Sequence, residues 1–316
     1  MRAPSADRIA DAMSVIDPVF LHSPLVRGSS IDRVVEAEVV FKAETLNPIR
    51  SFKGRGAELL VASLADQRPL VCASAGNFGQ GLARAGARRG LEVTVFAAER
   101  ANPLKIAAMR AFGAAVHLEG VDFDAAKDAA RRHAQASGAF YVEDGALPEI
   151  AEGAGTIALE LTEAGVFPDV MLVPLGNGAL ATGIGTWLRR AAPATRVVAV
   201  VAAGAPSMRL SFERDRPVST PSVRTIADGI AVRDPVPYAL ECMRGVVHDV
   251  MSVSDAEIIR AMRTTHEHLG LVVEPAGAAG LAALLAHGDR WRGALVAMPL
   301  CGGNVTPADA RDWLLS

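Results

Sequence analysis

Continuous apolar runs recurring between helical stretches constrain this chain more than any other feature. Such runs lie at 38–43 (EVVFKA), 70–74 (LVCAS), 91–97, 114–119 and 139–144, and again at 169–175, 196–202, 246–253 and 294–300. Helical patterns rich in Ala and Leu fill 51–66, 78–89, 103–112, 122–136, 148–164, 179–191, 254–268, 275–286 and 307–315. A strand that is apolar on both sides has both faces covered, as in a parallel sheet sandwiched by helices. Roughly nine strands are many for one sheet. The expected fold class is therefore α/β, with two open, mostly parallel sheet domains carrying helices on both faces. Ser51 is expected to cap the first of these helices, and Thr306 to cap the last with Pro307 in its first turn. Residues 203–235, richer in Pro, Ser and Arg, read as an irregular excursion.

Composition narrows the function classes. Half of the 316 residues are hydrophobic and the net charge is −3, so no basic field draws the chain to nucleic acid or to an acidic membrane. Aromatic residues make up only 5%, too few for base-stacking platforms. Three cysteines, Cys72, Cys242 and Cys301, argue against a disulfide framework, and none has zinc-site spacing. No signal peptide or membrane span is visible, so a cytoplasmic protein acting on a small molecule is expected.

In open α/β sheets, ligands bind beyond the carboxyl ends of the strands, so the strand-to-helix turns are the candidate sites. SAGNFGQG (74–81) places Ser74, Ala75, Gly76 and Asn77 at a helix start, where unpaired amides face an incoming anion. Read alone, it is either that or an ordinary capped turn. PLGNGALATGIG (174–185) offers a short loop, Gly176, Asn177, Gly178, Ala179 and Leu180, whose amides can converge on a phosphate. It has neither the Gly-Lys-Ser/Thr of a nucleotide loop nor the third glycine of a dinucleotide fold. Cys301, in PLCGGN (299–304), sits at a strand end and is either a buried structural thiol or a site residue. Lys53, in RSFKGRGA (50–57), is read as lying one turn into a helix, beside Phe52. A cation is disfavoured near a helix N-terminus, so that position favours the neutral amine, the form that makes imines and takes protons.

An imine-forming lysine, a non-nucleotide phosphate loop and two ligand-facing turns together suggest pyridoxal 5'-phosphate. The chain resembles the fold-type II pyridoxal-phosphate enzymes (tryptophan synthase beta-like fold), in the threonine/serine dehydratase and serine racemase branch. The matching stretches run in family order: SPLV (23–26), FKAETLNPIRSFKGRGA (41–57), SAGNFGQGLA (74–83), GAGTIALEL (153–161), VPLGNGALATGI (173–184), TIADGIAV (225–232), EPAGAAGLAAL (274–284) and LCGGNV (300–305). The resemblance implies that Lys53 is the Schiff-base lysine and removes the α-proton. It implies that Ser74, Ala75, Gly76 and Asn77 bind the substrate carboxylate, with Asn77 also touching the ring 3'-oxygen. It assigns Gly176 to Leu180 to the phosphate, places Phe52 and Cys301 against the cofactor, and faces Cys301 to the pyridine nitrogen. It implies a large cofactor domain of residues 1–67 and 147–316, a small substrate-loop domain of residues 68–146, and a homodimer.

The departures from the family are specific. The phosphate loop reads Gly-Asn-Gly-Ala-Leu where relatives usually carry four glycines, and Ala adopts left-handed φ less readily than Asn. Ala75 stands where racemases have a serine acid, so racemization is not expected. Val201 and Ser207 fall where some relatives hold a divalent cation, and valine cannot ligate one, so no metal is expected. Ile49 and Arg50 replace a Thr-Gly pair. Arg50 is either a surface charge or a selector for an acidic substrate. Phe78 replaces a histidine. With the sequence ending at 316, no regulatory domain is expected. The function expected is a lyase that converts L-threonine- or L-serine-type β-hydroxy amino acids to 2-oxo acids and ammonia. The alternatives are a 3-hydroxyaspartate ammonia-lyase, a β-replacement enzyme, a racemase and a non-catalytic cofactor-binding protein.

Overall fold

The computed structural model describes residues 1–28, 30–121 and 123–315. Among the described residues, ten strands form two sheets. The larger contains β1 (Leu25–Val26), β2 (Glu38–Ala43), β7 (Val170–Pro174), β8 (Arg196–Ala202), β9 (Asp249–Val253) and β10 (Leu295–Leu300), in the order β1-β2-β10-β7-β8-β9. Every pair in it is parallel except β1 with β2. The smaller contains β3 (Leu70–Ala73), β4 (Val93–Ala97), β5 (Ala115–Leu118) and β6 (Phe140–Val142), ordered β5-β4-β3-β6 and wholly parallel.

Consecutive residues of one strand enter opposite cores, which is why the runs are apolar throughout. In the larger sheet Val39, Phe41, Leu172, Val198 and Val200 pack with Ile258, Met262 and Leu281, from helices Asp255–Leu269 and Pro275–His287. Their neighbours Val40, Met171, Val173, Val197 and Ala199 face Ile157, Leu161, Ile184 and Leu188, from helices Pro148–Glu163 and Ala179–Ala191. The smaller sheet repeats the scheme, with Leu70, Cys72 and Val95 on one side and Val71, Ala73 and Phe96 on the other.

The α/β expectation holds, and the nine predicted strands are all present. The predicted helix 122–136 appears as Phe123–Ser137, its predicted first residue lying outside the described residues. The 246–253 run is corrected: β9 starts only at Asp249, because Val246 and Val247 pack in the core that holds helix Ala179–Ala191. The excursion at 203–235 contains a short α-helix, Ser207–Glu213, tied down by Ser207 Oγ donating to Val232 O (2.6 Å) and by buried Met208, and a 3-10 turn, Asp228–Ile230. Among the described residues, no helix is long and apolar enough to cross a membrane.

Candidate active site

The chain reaches Lys53 through a tightly specified turn. The Asn47 side chain accepts from the amides of Ile49 and Ser51 (3.2 Å each) and donates to the carbonyls of Glu44 (2.9 Å) and Ser51 (3.1 Å). Ser51 forms an antiparallel bridge with Gly302, and the Phe52 amide donates to Cys301 O (3.1 Å). Helix Lys53–Ser63 therefore starts at Lys53 itself, with Phe52 as its cap residue. That corrects two expectations. Lys53 is the first residue of the helix rather than one turn in, and Ser51 is not its cap. The Ser51 hydroxyl is committed to Cys301 O (3.2 Å), and the Lys53 amide reaches it at 3.4 Å. Arg50, at φ +50, is exposed and is not among the residues lining the cavity, which leaves it on the surface.

Two residues further, Arg55 is fully buried and anchors the helix. It makes parallel hydrogen bonds to Glu44 (2.9 Å each) and two more to Glu160 (2.6 and 3.0 Å). Glu160 also pairs with buried Lys42 (2.5 Å). Burial works against both cations. The two carboxylates outweigh it for Arg55, whose pKa is raised, but not for Lys42, whose pKa is lowered.

Every site residue singled out from the sequence lines one cavity of about 530 Å³: Phe52, Lys53, Ser74 to Asn77, Gly176 to Leu180, and Cys301. That is a small-ligand size. The cavity opens at the carboxyl ends of β3, β7 and β10, as the topology requires. Ser74 Oγ accepts from the amides of Gly76 (3.2 Å) and Gly79 (3.0 Å), fixing the turn into helix Asn77–Arg88. The caps of this helix and of Ala179–Ala191 are Gly76 and Gly178, neither of which supplies a side-chain acceptor, so both first turns keep amides for an anion.

The left-handed position in the second loop is Gly178 (φ +94), not Asn177 or Ala179, so the departures from an all-glycine loop fall where side chains are tolerated. Gly176 is required for a different reason: a Cβ there would lie 2.9 Å from Gly229 O. Cys301 is buried, with Sγ 3.8 Å from Ala276 O, and burial next to Glu274 pushes its thiol well up, so it presents a neutral group. Val201 is wholly in the core and Ser207 is bonded to Val232, so neither is placed to hold a cation.

Several functional groups were missed from the sequence. Lys53 Nζ lies 2.6 Å from Asp144 Oδ2, over the rings of Phe52 (5.0 Å) and Phe78 (5.8 Å). The sequence argument for a neutral amine weighed only the helix start and omitted this carboxylate. Fully buried Glu274 accepts from Asn77 Nδ2 (2.6 Å) and lies 3.5 Å from Lys105, which also pairs with Asp228 (2.7 Å). Burial raises the Glu274 carboxyl against the pull of Lys105. For Lys105, burial opposes the charge, but Glu274 and Asp228 prevail and raise it. Asn304 completes the group, donating to Asn77 Oδ1 (2.9 Å). Glu274 and Asp228 lie inside stretches that carry the family resemblance, EPAGAAGLAAL and TIADGIAV, so a signal for them existed. Asp144 sits at the end of a run read only as a strand.

A phosphorylated aldehyde with an aromatic ring fits this arrangement. The uncapped first turn at Gly178 suits its phosphate, the Lys53 amine suits its aldehyde, and the neutral Cys301 thiol suits an unprotonated ring nitrogen. Comparison with known proteins agrees. The L-threonine ammonia-lyase of Thermotoga maritima is 35% identical over 300 residues, spanning 94% of this chain and 75% of that protein. The crystal structure of a T.th. threonine deaminase matches with a TM-score of 0.90 at 31% identity, covering 96% of this chain and 99% of that one. Maize serine racemase matches with a TM-score of 0.91 at 26% identity, over 97% and 95% of the two chains. Residues 16–302 match the family model for pyridoxal-phosphate dependent enzymes. The chain belongs to that family, and pyridoxal 5'-phosphate is its cofactor.

Proposed function

We propose that the protein is an ammonia-lyase that converts L-threonine- or L-serine-type β-hydroxy amino acids to 2-oxo acids and ammonia. The similarity to threonine ammonia-lyases supports this reading. The observation that carries it is the Lys53 amine sharing one cavity with two uncapped helix starts. Bound there, pyridoxal phosphate would supply an aldehyde for the Lys53 amine and a ring able to take up the electrons of the Cα–H bond.

The chain's own residues do the rest. Lys53 Nζ would take the α-proton. The amides after Ser74 hold the substrate carboxylate, and Asn77, fixed by Glu274 and Asn304, orients it. Gly176 to Leu180 hold the phosphate. Cys301, kept neutral by burial, would face the cofactor ring. Phe52 and Phe78 flank the amine and keep water from it. We take residues 1–67 and 147–316 as the cofactor domain and 68–146 as the substrate-loop domain. A cytoplasmic homodimer is the working form in this proposal.

The test is a panel of L-serine, L-threonine and 3-hydroxyaspartate given to the cofactor-loaded protein, with 2-oxo acid detection. Pyruvate from serine or 2-oxobutyrate from threonine is expected. No oxo acid from any β-hydroxy amino acid contradicts the proposal.

A further inference from the structure

Lys105 meets its partners from the opposite wall of the cavity. Its helix, Pro103–Ala111, sends Ile106 and Met109 into the core over the smaller sheet. Asp228 begins the 3-10 turn Asp228–Ile230, and Glu274 is the cap residue of helix Pro275–His287; both elements pack in the core of the larger sheet. Lys105 lines the cavity, yet its side chain is only 2% exposed, with Nζ 2.7 Å from Asp228 Oδ2 and 3.5 Å from Glu274 Oε2. Asp228 is half exposed, so water shares its charge. Glu274 is fully buried, and among the described residues Lys105 is the only cation paired with it.

The other oxygen of Glu274 holds Asn77. Oε1 accepts from Asn77 Nδ2 (2.6 Å), while Asn77 Oδ1 accepts from Asn304 Nδ2 (2.9 Å) and Gln80 Nε2 (3.3 Å). The second proton on Nδ2 is what the amide has left for a ligand in the cavity, and it suits an anionic oxygen. This orientation depends on the charge of Glu274. An ionised carboxyl only accepts, so it locks Nδ2 toward itself. A protonated one also donates, and can turn the amide over so that Oδ1 faces the anion instead. Burial pulls Glu274 toward the protonated form, and Lys105 pulls it back. The remaining titratable groups facing it give no such help: Asp228 is a like charge, and the buried Cys301 thiol is neutral.

We propose that Lys105 is a positioning residue: it holds Glu274 as a carboxylate, and through it keeps Asn77 Nδ2 turned toward the anionic oxygens of cofactor and substrate. The inference rests on the place of Asn77 in the proposed function and adds the residue that sets its orientation. The device spans the cavity. Lys105 and Asn77 belong to helices packed on the smaller sheet, while Glu274 and Asn304 belong to the larger unit. The amide is therefore set only when the two walls are seated together.

The experiment titrates wild type, Lys105→Met, Glu274→Gln and the double variant with pyridoxal phosphate, followed by absorbance, each variant compared with wild type at the same pH. At pH about 7, Lys105→Met should bind at least about 10-fold more weakly. At pH about 9.5 it should recover to within about 3-fold, because a carboxyl buried without its cation ionises at about 8–9. Glu274→Gln mimics the protonated acid, so it should show a similar loss with no recovery. The double variant should match Glu274→Gln within about 3-fold at both pH values, since Lys105 then has no carboxylate to hold there. A loss in Lys105→Met that is constant with pH, or losses that multiply in the double variant, would assign Lys105 to packing alone and overturn the proposal. Should Lys105→Met fail to fold, the comparison of the double variant with Glu274→Gln decides by itself, and a double variant that also fails to fold overturns the proposal. Pyruvate release from L-serine should follow the same pattern. Wild type that binds the cofactor but yields no oxo acid sinks the ammonia-lyase reading instead, and the titration still judges Lys105.

Discussion

The side-chain amide of Asn77 donates to the carboxyl of Glu274 across 2.6 Å, joining the turn after β3 to the start of the helix under β10. One hydrogen bond thus links a helix packed on the smaller sheet to the cap of a helix packed on the larger. Glu274 is raised by burial, so between its ordinary value and its raised value the folded state holds a proton that the unfolded state has lost. Stability from this group is therefore full at acid pH and declines as pH climbs through that window. Glu274→Gln removes the titration. Its stability relative to wild type should improve as pH is raised from about 4.5 upward, measured by urea unfolding at several pH values. A constant difference across pH would contradict the assignment.

The phosphate loop turns on one left-handed residue. Gly178 sits at φ +94, and an alanine there carries a strain of about 1–2 kcal/mol and meets Met243 Sδ at 3.0 Å. Gly178→Ala should weaken cofactor binding by roughly 10-fold, with the fold intact. Titration of the apo-protein with pyridoxal phosphate, followed by absorbance, checks it.

Ala75 lines the cavity with a methyl group and has no proton to donate. L-serine incubated with the holoenzyme should give pyruvate and no D-serine above the uncatalysed background, read by chiral chromatography. Ala75→Ser is the variant in which D-serine should first appear.

The buried ions around Arg55 hold helix Lys53–Ser63 in place. Glu160 balances Arg55 and Lys42, and removing it leaves two cations facing one carboxylate in a dry site. Glu160→Gln should cost about 3–5 kcal/mol in denaturant unfolding. The exposed pair Arg292–Glu36 is the control: Glu36→Gln should cost less than about 1 kcal/mol.

The sheets were legible because period and burial agree: Val39 and Val40, or Val197 and Val198, are apolar in both cores, and nothing but a doubly covered parallel strand wants that. Helix Ala179–Ala191 was read to the residue, since a glycine cap and an arginine-rich last turn mark its ends. Helices Ile31–Val35 and Ser207–Glu213 were missed because five and seven residues are too few to display a helical period. At the site, glycine turns and Lys53 announced themselves locally. Asp144 did not, because its meaning lies in a contact 91 positions away. The helix-start argument for Lys53 was incomplete for the same reason: Asp144, 2.6 Å from its Nζ, was out of view.

The central claim is that Lys53, at the first position of its helix, carries the cofactor. The most direct measurement is to load the protein with pyridoxal phosphate, reduce it with borohydride, digest it and map the modified peptide by mass spectrometry. The account predicts a stoichiometric pyridoxyl group on Lys53 and its loss in Lys53→Ala. A tag on Lys42, Lys105 or any other lysine, or a loaded protein that takes no tag, would contradict it.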